Sequence, residues 1–329
     1  MTEQFPYTLL TKQQIIQQMN DLAVSQFPFL FIIDYKAESG FIIQKDELDE
    51  RFVRFQTNSV VQSNKIDQPV EWQIEPLDFE DYKWKFDFVQ QQIYIGNSFL
   101  TNLTQPTNVH TNLTLSDLYV LGSAKYKLWF NDWFVVFSPE TFVKIKGQTI
   151  FSYPMKGTID ASIPNARELI LNDPKEKAEH ATIVDLIRND LSLVANQVEV
   201  TKYRYVDEIK TNRMNLLQIS SEIVGQLAEG YRERLGDILF DLLPAGSICG
   251  APKQKTLEII EEAEGYERGF YTGICGWFDG ENLDSAVMIR FIEQIDDKLI
   301  FKSGGGITAQ SELEKEYEEL IQKVYAPVR

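Results

Sequence analysis

Two pairs of glutamates have types and spacing that could do chemistry. Glu176 and Glu179 open the run "KEKAEHATIVDLIRNDLSLVA", and Glu316 and Glu319 lie in "SELEKEYEELIQKVY". A separation of three residues on a helix puts both carboxylates of a pair on one face, with Cβ atoms about 5–6 Å apart. Two such faces opposed across a cleft would offer hard oxygen ligands suited to Mg²⁺, whereas one such pair on an acidic chain is ordinarily a solvated face.

A second constellation is Glu140 and Lys156. Glu140, in "FSPETF", sits at a turn between two strand-like runs, and Lys156 follows 16 residues later in "FSYPMKGTID", flanked by Pro154 and Gly157. If the two intervening strands are adjacent, both side chains could face one cavity. Burial raises a glutamate's pKa toward a general acid's range, and a desolvated lysine can be neutral enough to attack as a nucleophile. A surface carboxylate and a surface lysine is the alternative that local sequence alone favours. With His110 and His180 the only histidines, a histidine-centred triad has little to draw on, and His180 reads as a surface or supporting residue.

Glycine and proline cluster in "LLPAGSICGAPK" (242–253) and "KSGGGIT" (302–308), each expected to expose backbone N–H groups just before a helix, where a carboxylate or phosphate can dock. A tight turn needing positive φ is the plainer reading. Neither loop has the Gly-Lys-Ser/Thr ending of a P-loop or the dinucleotide fingerprint, which weighs against nucleotide binding.

The elements that must position these residues follow from periodicity. Thr11 caps a helix, "FPFLFIIDYK" and "GFIIQ" form a hairpin, and residues 79–97 have helix-period apolar positions. Residues 126–153 contain four strands separated by "ND", "PE" and "GQ", which predicts an antiparallel meander. A helical zone from Asn165 to Asn196 precedes strands near 197–207 and 216–228 and helices near 233–242 and 252–264. Strands "FYTGICGWF", "LDSAVMIRFIE" and "KLIFKSGGG" and a Glu-rich helix from about Ser311 complete the chain. Strands in meanders with helices gathered between them predict an α+β fold, because parallel units need a helix after nearly every strand. No linker or repeat divides the chain, so residues 1–329 read as one catalytic domain.

Composition narrows the function. The 329 residues, 43% hydrophobic and 25% charged, suffice for a large core. A formal charge of −17 argues against nucleic acid and anionic membranes, and any anionic substrate must be met by local cations or a metal. The longest strongly apolar run, "FPFLFII" at 27–33, is short of the roughly 18 residues of a bilayer span. The opening residues lack the basic start and apolar core of a signal peptide, and Cys249 and Cys275 form no disulfide framework or zinc spacing. The expectation is a reduced, cytoplasmic protein.

Six ordered motifs carry a resemblance: "SPE" (138–140), "PMKGT" (154–158), "AEHATIVDLIRNDL" (178–191), "PAGSICGAPK" (244–253), "RGFYTGICGWF" with "LDSAVMIR" (268–290), and "GGGI" followed by "EKEYEE" (304–319). Together they resemble the chorismate-utilising enzymes, most closely the first components of aminodeoxychorismate synthases. The resemblance covers roughly residues 95–329, with residues 1–94 as an abbreviated N-terminal part. It implies two large antiparallel sheets packed as a sandwich with helices outside. It also implies Mg²⁺-dependent replacement of the chorismate C4 hydroxyl by ammonia, giving 4-amino-4-deoxychorismate for para-aminobenzoate and folate synthesis. A separate glutamine amidotransferase subunit would supply the ammonia. By the same resemblance Glu179 and Glu319 are the principal Mg²⁺ positions, with Glu176 and Glu316 supporting. Gly157, Thr158, Tyr271, Arg290, Gly304, Gly305 and Gly306 hold the substrate carboxylates, Glu140 is the general acid and Lys156 the covalent nucleophile. Lys156 also distinguishes subtypes: similar anthranilate synthases, the alternative assignment, typically carry alanine there and release pyruvate. Cys249 and Gln310 depart from the usual threonine and aspartate, and Gln218 stands where anthranilate synthases tend to have histidine.

Overall fold

The computed structural model describes residues 5–57, 69–210 and 215–327. Two antiparallel sheets dominate it. The first runs in the order Leu10–Thr11, Ser39–Gln44, Phe29–Ile33, Ile274–Phe278, Leu283–Val287, Thr141–Lys146, Thr149–Ser152, Asn215–Gln226 and Met155–Asp160, with Asn196–Lys210 also paired to Asn215–Gln226. The second runs Gly250–Ala251, Leu100–Thr111, Lys298–Thr308, Phe291–Ile295, Phe134–Ser138, Tyr126–Phe130 and Val53–Thr57, with Trp72–Glu75 beside Leu100–Thr111.

The apolar run at 29–33 shows why the sheets stack. Side chains alternate across a strand, so Phe29, Phe31 and Ile33 enter a core under the helices Lys12–Val24 and Leu235–Asp241. Leu30 and Ile32 enter the core between the sheets, against Phe130, Phe134 and Phe291 of the second sheet. All five are buried, which is why this strand reads as continuously apolar. Each such side chain contributes about 1.5–3 kcal/mol. Helices close the outer faces. Phe79–Tyr94, Lys253–Glu264 and Leu313–Gln322 share one satellite core, with Tyr317 packed on Phe79.

The long helix Pro174–Ser192 starts where local rules place it: the Asp173 carboxylate accepts the Glu176 N–H at 2.9 Å, and Pro174 occupies the first turn, where its missing N–H costs nothing. Among the described residues no helix is long and apolar enough to cross a membrane.

Three expectations change. The predicted meander at 126–153 divides: Phe134–Ser138 belongs to the second sheet and Thr141–Lys146 to the first. "LDSAVMIRFIE" is likewise two strands in different sheets, separated at Met288–Arg290. Gly304–Gly306, read both as the end of the strand "KLIFKSGGG" and as a turn before a helix, continue the strand Lys298–Thr308, paired with Thr104, Leu103 and Asn102. The strands Val53–Thr57 and Trp72–Glu75 and the helix Leu115–Leu121 were not anticipated.

Candidate active site

The two sheet-to-sheet crossings run side by side. The Val287 N–H donates to the Glu140 carbonyl at 3.2 Å, and the Phe137 N–H donates to the Arg290 carbonyl at 3.1 Å. Glu140 and Arg290 occupy these crossings, and both line the space beside them. Arg290 has φ +54°, a left-handed conformation uncommon outside glycine. Its guanidinium donates to the Lys323 carbonyl at 3.0 Å and lies 5.2 Å from the Tyr325 ring centroid.

A cavity of about 220 Å³ opens at this crossing, lined by Glu140, Lys156, Tyr271, Arg290 and the strand Gly304–Gly306. The strands Thr141–Lys146 and Thr149–Ser152 between Glu140 and Lys156 are adjacent, as their joint use of one cavity requires. Beyond Lys302 the strand Lys298–Thr308 has a ladder partner only on the Leu100–Thr111 side, so the other edge of its glycines faces the cavity. Glycine is needed at Gly304, where a Cβ would lie 2.5 Å from Thr104 Cγ2 and 2.7 Å from the Leu103 carbonyl oxygen; at Gly306 a Cβ would press on Leu100 Cδ1 at 3.0 Å.

Carboxylates and amines interlock at one side of the cavity. Lys156 Nζ pairs with Glu179 Oε2 at 2.8 Å, and Lys323 Nζ pairs with Glu319 Oε1 at 2.7 Å while donating to the Gly304 carbonyl at 2.8 Å. Glu316 accepts from Ser311 Oγ at 2.7 Å. Glu176 packs on Gly157, whose φ of +88° and missing side chain admit it, since a Cβ would lie 2.8 Å from Glu176 Oε2. Neither Gly157 nor Thr158 lines the cavity, and Thr158 is exposed and accepts from Gln218 Nε2 at 3.3 Å.

Burial acts on these groups in opposite directions. Burial pushes the Lys156 amine down, but Glu179, then Glu176 and Glu319, outweigh it and hold the pKa above the ordinary lysine range. These carboxylates thus oppose the neutral form that burial alone would favour. Burial pushes Lys323 below its usual value, against the pull of Glu319. Burial raises Glu140, opposed by a hydrogen bond from Ser247 and by Lys125.

Behind the cavity lies a framework built from the remaining motifs. Asp190 pairs with Lys253 at 2.9 Å, joining "IRNDL" to "GAPK", and a Cβ on Gly246 would meet Asp190 Oδ2 at 2.8 Å. Arg268 pairs with Glu264 at 2.6 Å and donates to the carbonyls of Ile248 and Asn102 at 3.0 and 2.8 Å. His180, expected at the surface or in support, is fully buried with Nε2 2.7 Å from Ser221 Oγ. Sequence reasoning missed Lys323 and Ser247 as cavity residues. Lys323 had a usable signal, four residues after Glu319 on the same helical face, while Ser247 had none beyond membership of the loop.

The donor set can be weighed against a divalent cation. Carboxylates are the hard oxygen ligands Mg²⁺ takes, and Glu176, Glu179 and Glu319 all act on the one amine of Lys156, a cation they already surround. Among the described residues no three His, Cys, Asp or Glu side chains are closed into a ligand group. The residues fit by type and convergence, in an arrangement where lysines carry the compensating charge.

A family profile described as "chorismate binding enzyme" matches residues 8–329. An uncharacterized PabA-like protein of Pasteurella multocida is 53% identical over 317 residues, covering 95% of this chain and 98% of that protein. Aminodeoxychorismate synthase component 1 of Bacillus subtilis is 32% identical over 270 residues, 77% of this chain and 56% of that protein. Among solved structures, anthranilate synthase component I of Streptococcus pneumoniae superposes with a TM-score of 0.70 at 21% identity, over 92% of this chain and 80% of that one, which establishes a shared fold.

Proposed function

Because this chain belongs to the chorismate-binding enzyme family, we propose that it converts chorismate and ammonia to 4-amino-4-deoxychorismate, a precursor of para-aminobenzoate and folate. Glu179 and Glu319 would hold Mg²⁺, supported by Glu176 and Glu316. The ammonia would come from a glutamine amidotransferase on a second chain. One observation carries the reading: Lys156 brings an amine into the cavity that Glu140 and Arg290 also line.

Arg290, Tyr271 and the open edge of Gly304–Gly306 receive the substrate carboxylates in a chain that is otherwise strongly acidic. Glu140, whose carboxyl burial favours in its protonated form, gives its proton to the C4 hydroxyl, which leaves as water. As the C4–O bond breaks, the Lys156 amine bonds to C2 and the ring double bonds shift. Ammonia then bonds to C4, the double bonds shift back, the C2–N bond to Lys156 breaks, and the Glu140 carboxylate takes the surplus proton. Lys156 must be neutral to attack, and Glu179 opposes this. Bound at Glu179 and Glu319, Mg²⁺ would supply positive charge that offsets these carboxylates and the anionic substrate.

The fold shared with an anthranilate synthase component keeps one second reading, conversion of chorismate to anthranilate and pyruvate. The test is incubation of the purified chain with chorismate, Mg²⁺ and an ammonium salt, with products identified by mass. The expected product retains the enolpyruvyl group. Anthranilate with free pyruvate as the main outcome would overturn the assignment, and an unchanged rate in Lys156→Ala would remove the covalent step.

A further inference from the structure

Lys125 does not line the substrate cavity, yet two of its neighbours, Thr141 and Tyr153, share a pocket wall with Glu140. Its amine donates to Thr141 Oγ1 at 2.7 Å, on the residue that follows Glu140, and lies 5.5 and 5.9 Å from the ring centroids of Tyr126 and Tyr153. A directed chain of hydrogen bonds fixes that position. Tyr126 gives its hydrogen to Asp284 Oδ1 at 2.6 Å, and an ammonium can only donate, so the Thr141 hydroxyl accepts from Lys125 and donates to Tyr126 at 2.9 Å. Asp284 ends the chain on Lys144 Nζ at 2.8 Å.

Among the described residues, Lys125 is the cation whose charge acts on the Glu140 carboxyl, and Glu140 acts on Lys125 in return. The cations that line the substrate cavity beside Glu140 have other partners: Lys156 holds Glu179, Lys323 holds Glu319, and Arg290 holds the Lys323 carbonyl. Asp190, in the pocket that Glu140 shares with Thr141, is paired with Lys253. We propose that Lys125 is a positioning residue for the acid step, its ammonium meeting the negative charge that develops on Glu140 as the carboxyl gives its proton to the departing hydroxyl. The inference rests on Glu140 being that acid, as in the reading above. The proton passes to the C4 oxygen, the C4–O bond breaks to release water, and the buried carboxylate left behind has the Ser247 hydroxyl and the Lys125 charge to stabilise it. A fixed cation placed where charge appears lowers the barrier without reorganising, and from outside the cavity it does not compete for the anionic substrate. Burial, then Lys144, push the Lys125 amine below its usual value, while Asp284, Asp207 and Glu140 pull it back.

The test is the pH profile of kcat/KM for chorismate consumption, at saturating Mg²⁺ and fixed free ammonia, whose descending limb reports loss of the Glu140 proton. An opposite charge favours the ionised carboxylate, so removing it should move that limb to higher pH and make Glu140 a weaker acid. Lys125→Met removes the charge and the hydrogen bond, Lys125→Gln keeps a donor for Thr141 without charge, and Lys125→Arg keeps the charge. Lys125→Met and Lys125→Gln should each move the limb up by about one pH unit and lower kcat about tenfold with KM for chorismate unchanged, whereas Lys125→Arg should leave the limb within about 0.3 units of the wild type. If Lys125→Met melts below the wild type, Lys125→Gln and Lys125→Arg decide between them. A limb unmoved in Lys125→Gln, a limb moved as far by Lys125→Arg, or an equal loss of kcat at every pH would overturn the proposal. A descending limb that persists in Glu140→Gln would overturn it together with Glu140 as the acid. Because the limb is read on chorismate consumption, a product other than the amino compound would remove the amination reading while the limb still decides the role of Lys125.

Discussion

Burial strips water from the Glu140 carboxyl, and the Ser247 hydroxyl with the Lys125 amine returns only part of that stabilisation, so the group resists ionisation beyond the ordinary glutamate range. That is the condition a proton donor to a departing hydroxyl needs. Glu140→Gln, which keeps the shape and removes the proton, should lower kcat by about 10²–10⁴-fold in the amination assay, and a loss below tenfold would reject Glu140 as the acid. His180 shows the same physics with opposite sign. Burial, then the Arg204 guanidinium, depress its pKa from 6.5 to about 4, against a smaller upward pull from the Lys156 backbone. Between about pH 6.5 and 4 the unfolded chain binds a proton that the folded chain refuses. The stability from this group is thus fully present above pH 6.5 and is lost as pH falls to 4, by about 3 kcal/mol. Urea titrations across that window should give a steeper loss for the wild type than for a folded His180→Gln variant. Parallel curves would contradict the assignment. Neither burial was legible locally: His180 stands beside charged residues in a helix, and it is strands distant in sequence, carrying Tyr203 and Ser221, that pack against it.

Elements reach the site through a few buried links. Arg268 ties the end of the helix Lys253–Glu264 to the turn Gly246–Ile248 and the strand Leu100–Thr111, and Glu264 also accepts the Thr104 N–H and hydroxyl at 2.8 Å each. Removing one charge of a buried pair strands the other, at about 3–5 kcal/mol, whereas removing both leaves only lost packing and hydrogen bonds. Arg268→Met should therefore lower the denaturation midpoint more than Arg268→Met combined with Glu264→Leu. A double variant as unstable as the sum of its parts would show that the pair is not coupled. The longer helices and the strongly apolar strands were readable at this scale, because capping and periodicity act within a few residues, whereas the short elements Val53–Thr57, Trp72–Glu75 and Leu115–Leu121 were not. The breaks at Pro139–Glu140 and Met288–Arg290 were not readable as sheet crossings. Strand chemistry continues through both, and only the pairing partner changes, from Phe134–Ser138 with Phe291–Ile295 to Thr141–Lys146 with Leu283–Val287.

At the scale of the whole molecule, the Glu176/Glu179 and Glu316/Glu319 pairs stand on helices 140 residues apart in sequence and meet around Lys156 and Lys323. A cation bound by both helices binds the folded chain in preference to the unfolded one, adding about 2.7 kcal/mol at a concentration a hundred times its Kd. Mg²⁺ should raise the melting temperature of the wild type, and Glu319→Gln should lose most of that rise. An equal rise in both would place the ion elsewhere. The residue types, the i, i+3 spacings and the six motifs are properties of the chain alone, and from them came the α+β class and the carboxylate and lysine candidates. The tertiary structure decided what those residues meet: that Glu140 and Lys156 share one cavity, that Gly157 and Thr158 do not line it, that Lys323 joins it, and that carboxylates pull Lys156 toward its charged form. Spacing along a chain specifies which atoms can be neighbours on one element. The dielectric and the charges around each atom come from elements distant in sequence, and these set ionisation and access.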